Sequence, residues 1–328
     1  MASVEDQVRQ FSANIEKVRA EVGKVIVGND EIVEGVLTAV MTGGHVLLEG
    51  LPGLGKTRLI KSVADVLELK FSRIQCTPDL MPADIIGTTI LTEDEKGRRT
   101  FQFQKGPIFG NIVLTDEINR ATPKTQSALL QAMQEGAVTV GNETHTLTQP
   151  FFVLATQNPV ELEGTYPLPE AQLDRFMLKL LVPASSLEGL VTILERTTAG
   201  KDTQPKKVLG ATDILGAREL ISNVPIARPL LEYVAKVILS TQPDQQMAPA
   251  SVKTNVKYGS SPRGAQSIVL AAKAGALMRG RFNVAMDDIR RAAKPALRHR
   301  LILNFEGEAA GVKSDDLVND ILSSVKEG

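Results

Sequence analysis

Residues 50–57 form a glycine-rich run that ends in lysine and threonine. Their order, Gly-Leu-Pro-Gly-Leu-Gly-Lys-Thr, matches the phosphate-binding pattern G-x-x-x-x-G-K-[ST] at every specified position. Glycines let the backbone fold closely around phosphate oxygens, so that successive N–H groups point at negative charge. Lys56 is placed to reach the β- and γ-phosphates, and the Thr57 hydroxyl is placed to hold Mg²⁺. The predicted nucleotide contacts of this segment are Gly50, Leu51, Pro52, Gly53, Leu54, Gly55, Lys56, Thr57 and Arg58.

Two acids, Asp116 and Glu117, follow the apolar run 112–115. At the carboxyl end of a parallel strand, Asp116 would support the Mg²⁺ shell. Glu117 would orient the attacking water or accept its proton. An acidic pair after a strand is commonly only a helix N-cap, but its position downstream of the phosphate loop favours a catalytic pair.

Two further polar side chains stand at predicted strand ends. Asn158 follows the apolar run 151–155, where its amide could reach both the water and the γ-phosphate, although turn chemistry alone also places Asn before Pro. Arg175 precedes the last predicted strand. It forms either an ion pair with Asp174 at a solvated edge or an arginine finger in a neighbouring subunit's site.

Arg263 stands near the predicted start of a helix. The run Ser261-Pro262-Arg263 predicts N-cap, N1 and N2 positions of a helix that continues to Arg279. A cation in the first turn opposes the helix dipole and costs ~0.3–1 kcal/mol unless an anion neutralises it. A γ-phosphate would neutralise it; the alternative is a surface arginine whose cost is tolerated.

Five apolar runs alternate with helical patterns, which is typical of a parallel sheet covered on both faces. The predicted strands are 45–49, 70–75, 111–115, 151–156 and 176–182. Residues 2–23 predict an amphipathic N-terminal helix. From about Thr212 the pattern is helical, which predicts a small all-α domain with its clearest helices at 228–242, 262–279 and 286–300.

The segments between these elements are less regular. Residues 77–107 predict an irregular region whose charged run, 93–99, forms a solvated turn. Two short β-rich runs, 138–140 and 144–147, flank Gly-Asn-Glu and predict a β-hairpin. Residues 183–210 have a mixed helix and linker composition, which marks a change of domain.

Composition narrows the class of protein. At 328 residues the chain is long enough for about two domains. Its formal net charge of -1 gives no global basic field for nucleic acid. With a single cysteine, Cys76, and no signal peptide or apolar run of ~18 residues, the expected location is the cytosol. The three histidines lie far apart without ligand spacing, so no metal other than Mg²⁺ is expected.

Taken together, the motifs closely resemble the MoxR family of AAA+ ATPases. The segments that carry the resemblance are 73–84, RIQCTPDLMPAD; 115–121, TDEINRA; 155–159, ATQNP; and 168–176, LPEAQLDRF. One departure is Thr115, where the family pattern leads us to expect a small residue. The resemblance spans residues 5 to 300.

The resemblance implies an α/β fold, a parallel five-stranded P-loop core with helices on both faces plus a small all-α lid. It suggests a nucleotide-binding domain at 1–185, a linker at 186–210 and a lid at 211–328. Residues 77–107 fit the insert of the second helical region, and residues 136–150 fit a hairpin before the sensor strand.

The resemblance also implies roles for individual residues. Asn158 would be the sensor-1 residue, Arg175 the finger acting in trans and Arg263 the sensor-2 arginine. Val27 and Gly28 would lie beside adenine. It further implies ATP and Mg²⁺ as cofactors and a ring, usually hexameric, with ATP at each subunit boundary.

MoxR proteins are generally viewed as ATP-driven chaperones that mature or activate partner complexes, including by metal-cofactor insertion. A von Willebrand factor A domain protein is often the partner. The alternatives are a nucleic-acid motor, since related rings with the same insert are helicases, and a slow nucleotide-state switch. Against the motor, residues 137–147 contain no Lys or Arg, so nucleic acid is not expected as a partner.

Overall fold

The computed structural model describes residues 3–51, 53–93, 99–159, 164–198 and 204–326. The elements of the first half are α1 (Val4–Gly23), α2 (Asp30–Thr42), β1 (Val46–Glu49), α3 (Lys56–Val66), β2 (Phe71–Gln75), α4 (Pro82–Ile86), β3 (Gly87–Glu93), β4 (Arg99–Lys105), β5 (Ile112–Asp116), α5 (Pro123–Glu135), β6 (Ala137–Val140), β7 (Glu143–Thr146), β8 (Phe152–Gln157), α6 (Glu170–Leu173) and β9 (Leu178–Leu181). Those of the second half are α7 (Leu187–Thr198), α8 (Ala211–Ser222), α9 (Arg228–Ser240), α10 (Ala250–Asn255), β10 (Val256–Tyr258), α11 (Pro262–Met278), α12 (Met286–Leu297), β11 (Ile302–Leu303), α13 (Phe305–Ala309) and α14 (Ser314–Ser324).

A five-stranded parallel sheet in the order β2-β5-β8-β1-β9 forms the centre of the molecule, as predicted. The strands lie within two residues of the predicted bounds. The largest difference is at the last strand, which begins at Leu178 rather than at residue 176. Because the strands are parallel, their carboxyl ends share one edge of the sheet and their amino ends share the other.

The sheet is buried on both faces, which explains its uninterrupted apolar runs. Alternate residues of a strand point to opposite faces, so Leu48 packs with α1, α2 and α3 while Leu47 packs with α4 and α5. The first of these two cores continues into the lid, where it includes Ile268 and Ile289. The lid therefore shares a hydrophobic core with the sheet.

The lid region is helical, as predicted, with one small addition. Residues 256–258 and 302–303 pair as a two-stranded antiparallel ribbon, β10 with β11. The lid helix α12 packs against the edge strand β9. The predicted linker contains α7, and after the undescribed residues the chain joins the core again where Val208 N donates to Val66 O at 2.8 Å.

The region predicted as irregular, 77–107, is more ordered than expected. It contains α4 and an antiparallel hairpin of β3 and β4 with Gly87 opposite Lys105. Both faces of this hairpin are largely exposed, with Phe101 80% accessible. The sequence of β3 lacks the alternation that marks a half-buried strand, whereas β4 alternates over the short run Phe-Gln-Phe-Gln at 101–104. Residues 94–98 of the predicted charged turn lie outside the described part of the chain.

The second hairpin, predicted at 138–147, is formed by β6 and β7. It contacts the first hairpin through His145, whose ring stacks on Phe103 with centroids 4.0 Å apart and planes 9° apart. Phe109 packs edge-on against Phe103. The two hairpins thus form one projecting unit beside the sheet.

Candidate nucleotide site and a separate arginine pair

The carboxyl ends of β1, β5 and β8 bring the predicted phosphate loop, the acidic pair and Asn158 to one edge of the sheet. The loop enters this edge where Gly50 N donates to Gln157 O at 3.3 Å. Asn158 follows directly and is 6% exposed. This edge is where ligands of open α/β sheets bind.

The phosphate loop turns into α3 through glycines with a left-handed backbone. Gly53 has φ +82° and Gly55 has φ +74°, a region that side chains other than glycine rarely adopt. Lys56 is the first residue of α3, and its Nζ donates to Gly50 O at 2.6 Å and to Leu51 O at 3.3 Å. Partial burial lowers the pKa of Lys56, and the carboxylates of Asp116 and Glu117 oppose that shift.

The remaining predicted nucleotide contacts flank the loop or lie apart from it in sequence. Thr57 and Arg58 occupy the first turn of α3, and Pro52 lies outside the described residues. Gly28, with φ +69°, precedes α2 and lines a cavity of about 300 Å³. Val27 is half-buried beside it.

Asp116, the last residue of β5, is held from both neighbouring strands. From β8, Thr156 Oγ1 donates to its Oδ1 at 2.6 Å. From β2, Arg73 Nη2 donates to its Oδ2 at 2.7 Å. The side chain of Asp116 is 15% exposed, so the carboxylate is fixed in position and its second oxygen already faces a cation.

Glu117 has a left-handed backbone, with φ 55° and ψ 52°. For a residue that is not glycine such a conformation costs about 1–3 kcal/mol, and it is a recurrent feature of functional sites. Its N–H donates to Thr156 Oγ1 at 2.8 Å. Its carboxylate accepts from Arg120 Nη1 at 3.1 Å and from Gln75 Nε2 at 3.3 Å. Thr156 therefore orients both acids at once.

Arg175 and Arg263 lie at the other edge of the sheet. Both line a cavity of about 220 Å³ with Gly44 and His45, at the amino end of β1. Parallel pairing sets Val46 opposite Leu178, so the chain at Arg175 has not yet entered β9. The four residues of β1 span about 13 Å, and this length separates the arginine cavity at the amino end of β1 from the start of the phosphate loop at its carboxyl end.

Arg175 does not pair with Asp174, one of the two interpretations its sequence allowed. Asp174 binds Arg300 instead, with Nε donating to Oδ1 at 2.7 Å. Within the described ranges the side chain of Arg175 makes no hydrogen bond or ion pair. Arg263 is the second residue of α11, as predicted, and Asp174 Oδ2 lies 4.0 Å from its Nη1.

His45, at the base of this cavity, is buried and neutral. Its Nδ1 accepts from Val153 N at 3.0 Å, which leaves Nε2 to donate to Met133 O at 3.1 Å. Burial lowers its pKa to about 4. The positive charge of the cavity therefore comes from its arginines.

Comparison with known proteins agrees with this arrangement. Residues 45–178 match the model of the ATPase family associated with various cellular activities (AAA), and residues 249–321 match the AAA lid domain. The chain is 42% identical over 311 residues to Chaperone MoxR1 of Mycobacterium tuberculosis, covering 95% of this chain and 81% of that protein. It is 29% identical to Protein MoxR of Methylorubrum extorquens, with 97% and 94% covered.

A solved structure has the same fold. It is that of a candidate ATPase from Cytophaga hutchinsonii, with a TM-score of 0.92, 41% identity and coverage of 99% of this chain and 98% of that one. The chain belongs to the MoxR family of AAA+ ATPases. The predicted family and fold class are therefore confirmed.

The MoxR nucleotide edge contains groups that the sequence motifs did not single out. Arg73, Gln75, Thr156 and Arg120 all contact the acidic pair. Arg73 and Gln75 are two residues apart on β2, so the strand's alternation points both side chains to one face. Their partners depend on β2 lying beside β5, which no local motif specifies.

The residues of this edge fit the cofactors that an AAA+ site implies. A carboxylate and a hydroxyl, from Asp116 and Thr57, are oxygen ligands of the kind that Mg²⁺ takes when phosphates and water supply the others. Asp116 Oδ2 already forms an ion pair with the guanidinium group of Arg73, so this carboxylate is placed to bind a cation. Over the described residues no group of three or more His, Cys, Asp or Glu could hold another metal, and no helix could cross a membrane.

Proposed function

We propose that this MoxR protein is a Mg²⁺-dependent ATPase that assembles into a ring and uses ATP turnover to remodel a partner protein complex. The observation that carries the proposal is the separation of the phosphate loop and the arginine pair onto opposite edges of one sheet. One chain supplies both halves of an ATPase site but does not bring them together. Stacking copies head to tail would unite them.

In this mechanism the loop backbone and Lys56 bind the phosphates of ATP. Bound Mg²⁺, held by Thr57 and Asp116, would neutralise charge that develops on the phosphate oxygens. Glu117 orients the attacking water and accepts its proton. Asn158, at the end of β8, orients the water or the γ-phosphate through its amide.

The arginine pair acts on the neighbour's ATP. Arg175 serves as the finger that stabilises transition-state charge, and Arg263 serves as the sensor-2 arginine from the same neighbouring chain. A head-to-tail interface that closes gives a ring, and six subunits are the expected number. Val27 and Gly28 are proposed to lie beside adenine.

The proposed client is a protein rather than a nucleic acid. The net charge of -1 and a β6–β7 hairpin without Lys or Arg disfavour tracking along phosphates. The M. tuberculosis relative is named as a chaperone. We further propose action in the cytoplasm, a von Willebrand factor A domain protein as partner, and metal-cofactor insertion as one form of the remodelling.

The test compares the two classes of stimulant. ATP hydrolysis by the wild-type protein is measured at low salt with single- and double-stranded DNA and RNA of several lengths, and we expect no stimulation. In parallel, Glu117→Gln is used as an ATP-locked bait in lysate, with Lys56→Ala as the matched control that should not bind ATP. Proteins captured only by Glu117→Gln are purified and should stimulate the wild-type ATPase. Stimulation of several fold by nucleic acid, with no ATP-dependent protein partner, would favour the motor.

A further inference from the structure

The carboxylate of Asp174 joins the core to the lid beside the arginine pair. Its Oδ1 accepts from Arg300 Nε at 2.7 Å and its Oδ2 accepts from Ser261 Oγ at 2.8 Å. Asp174 directly precedes Arg175, and Ser261 lies two residues before Arg263. One side chain therefore connects the two backbone segments that carry the arginines.

Arg300 anchors this carboxylate in the protein interior. Its side chain is 2% exposed, and all five of its N–H donors have acceptors. Besides Asp174 Oδ1, Nη2 donates to the carbonyl oxygens of Asp174 at 3.0 Å and Phe176 at 2.8 Å. Nη1 donates to the carbonyl oxygens of Met177 at 3.2 Å and Ala296. Arg300 thus fixes both the carboxylate and the backbone that leads into β9.

Ser261 extends the network to Arg263. As the N-cap of α11, its Oγ accepts from Arg263 N at 3.1 Å while its hydroxyl proton goes to Asp174. Gly264, in the same turn, lies so close to Arg300 that a Cβ there would be 3.2 Å from Arg300 Cδ. The first turn of α11 is therefore packed onto the anchored arginine.

We propose that Asp174 is a positioning residue that holds Arg175 and Arg263 as one unit facing the neighbouring subunit. The carboxylate acts through three contacts: the Arg300 anchor, the Ser261 cap and the charge 4.0 Å from Arg263 Nη1. With these contacts intact, both guanidinium groups face the same cavity without reorganisation when a γ-phosphate arrives. This inference rests on the proposed action of the arginines in trans.

The test uses Asp174→Asn, whose single carbonyl oxygen cannot serve both Arg300 and Ser261, and Ser261→Ala, which removes only the cap hydroxyl. We expect each to lower kcat about tenfold, since small misplacements of catalytic groups are costly. ATP affinity and KM should stay within about twofold of wild type, because the variant's own phosphate loop is at the other edge. Ser261→Thr keeps the hydroxyl and should restore most of the activity.

A trans readout separates positioning from a general structural role. Mixing Asp174→Asn with Lys56→Ala should recover activity, because the intact arginines of the second variant meet the intact loop of the first. Ser3→Ala removes the same type of cap from α1 and is the matched control for cap loss, with no expected change in kcat. Thermal unfolding of each variant is recorded alongside. If Asp174→Asn does not fold, the kcat values of Ser261→Ala and Ser261→Thr test the proposal in its place.

Two results would overturn the inference. One is an unchanged kcat in Asp174→Asn and Ser261→Ala. The other is a trans or binding defect of Asp174→Asn that Arg175→Ala does not share: Asp174→Asn binds ATP more weakly than wild type, or its mixture with Lys56→Ala shows no activity, while the mixture of Arg175→Ala with Lys56→Ala does recover. If Arg175→Ala itself fails to recover despite demonstrated subunit exchange, the proposed trans action is wrong instead, so the two failures are distinguishable.

Discussion

The two edges of the sheet hold their charged groups by different means. At the nucleotide edge, Asp116 and Glu117 are fixed by side chains of β2 and β8, the strands on either side of β5. At the arginine edge, Asp174 is fixed by Arg300 and Ser261, which lie 126 and 87 residues away in the lid. The first site is organised within the sheet, whereas the second depends on how the lid docks.

Because of this difference, the charged groups of the two halves of the proposed site are in different states before nucleotide binds. The acids stand in place before nucleotide arrives, with Arg73 as an internal counter-ion for Asp116. The arginine cavity has one carboxylate, Asp174, already engaged by Arg300, and leaves Arg175 without a polar partner among the described residues. A guanidinium group that has no polar partner among the described residues is suited to meet a charge from a neighbouring subunit.

The largest expected effect on ATP hydrolysis comes from a variant that impairs the arginine edge and leaves the nucleotide edge intact. Arg175→Ala should bind ATP as wild type does but hydrolyse it about 10³-fold more slowly, as expected for loss of an arginine finger. Mixed with Lys56→Ala, it should regain up to roughly a quarter of wild-type activity, the share of interfaces that pair an intact loop with an intact arginine in random rings. Phosphate release over a range of mixing ratios measures this.

The control is each variant mixed with itself, which leaves no competent interface. Subunit exchange is followed in parallel with fluorescently labelled protein. Absence of recovery when exchange is complete would mean that Arg175 acts within its own chain, and the contrast between the edges would lose its functional meaning.

At the nucleotide edge, Glu117→Gln should retain ATP binding and lower turnover by about 10²-fold or more, because the amide cannot accept the proton from water. Lys56→Ala should instead weaken ATP binding, since it removes the cation that reaches the phosphates. A fluorescent ATP analogue and a phosphate-release assay separate the two defects. Turnover at the wild-type rate in Glu117→Gln would show that another group is the base.

The strands and the phosphate-loop segment of the nucleotide edge could be predicted from the sequence because each is a local pattern. Buried parallel strands need unbroken apolar runs, and the phosphate loop needs glycines at fixed positions, so both leave a signal in consecutive residues. The strand order was not available from such signals. Arg73 and Gln75 were therefore missed, although each lies within a segment that carried the family resemblance.

The arginine edge was predicted only in part. The N-cap at Ser261 is a local pattern and was found, but the partner of Asp174 was not, because Arg300 comes from a lid whose docking no motif describes. The β3–β4 hairpin was missed for another reason. The strand β3 has no apolar alternation, and the alternating run of β4 is only four residues long and closely follows a strongly charged segment.

A smaller effect is expected from the counter-ion of Asp116. Arg73→Met removes the cation 2.7 Å from Oδ2, so Mg²⁺ no longer competes with it for the carboxylate. We expect the Mg²⁺ concentration for half-maximal ATPase to fall roughly two- to fivefold, the range for a partly exposed ion pair. Arg228→Met, which breaks an exposed pair with Glu232 in the lid, is the matched control. A higher Mg²⁺ requirement in Arg73→Met would mean that Arg73 orients Asp116 rather than competing for it.

The smallest expected effect is a change in fold stability, and it is seen by comparing two fully buried threonines on adjacent strands. Thr115 Oγ1 has no partner among the described residues, whereas Thr156 Oγ1 binds both Asp116 and Glu117. Thr115→Val removes an unsatisfied polar atom while keeping the shape, so it should stabilise the fold by about 1 kcal/mol and leave ATPase activity unchanged. The same change at Thr156 should lower activity, because it frees the Asp116 carboxylate and the Glu117 backbone. Thermal unfolding midpoints and steady-state ATPase rates of the two variants measure the contrast. If Thr115→Val is destabilised, its hydroxyl has a partner such as an ordered water, and the two positions are more alike than their contacts indicate.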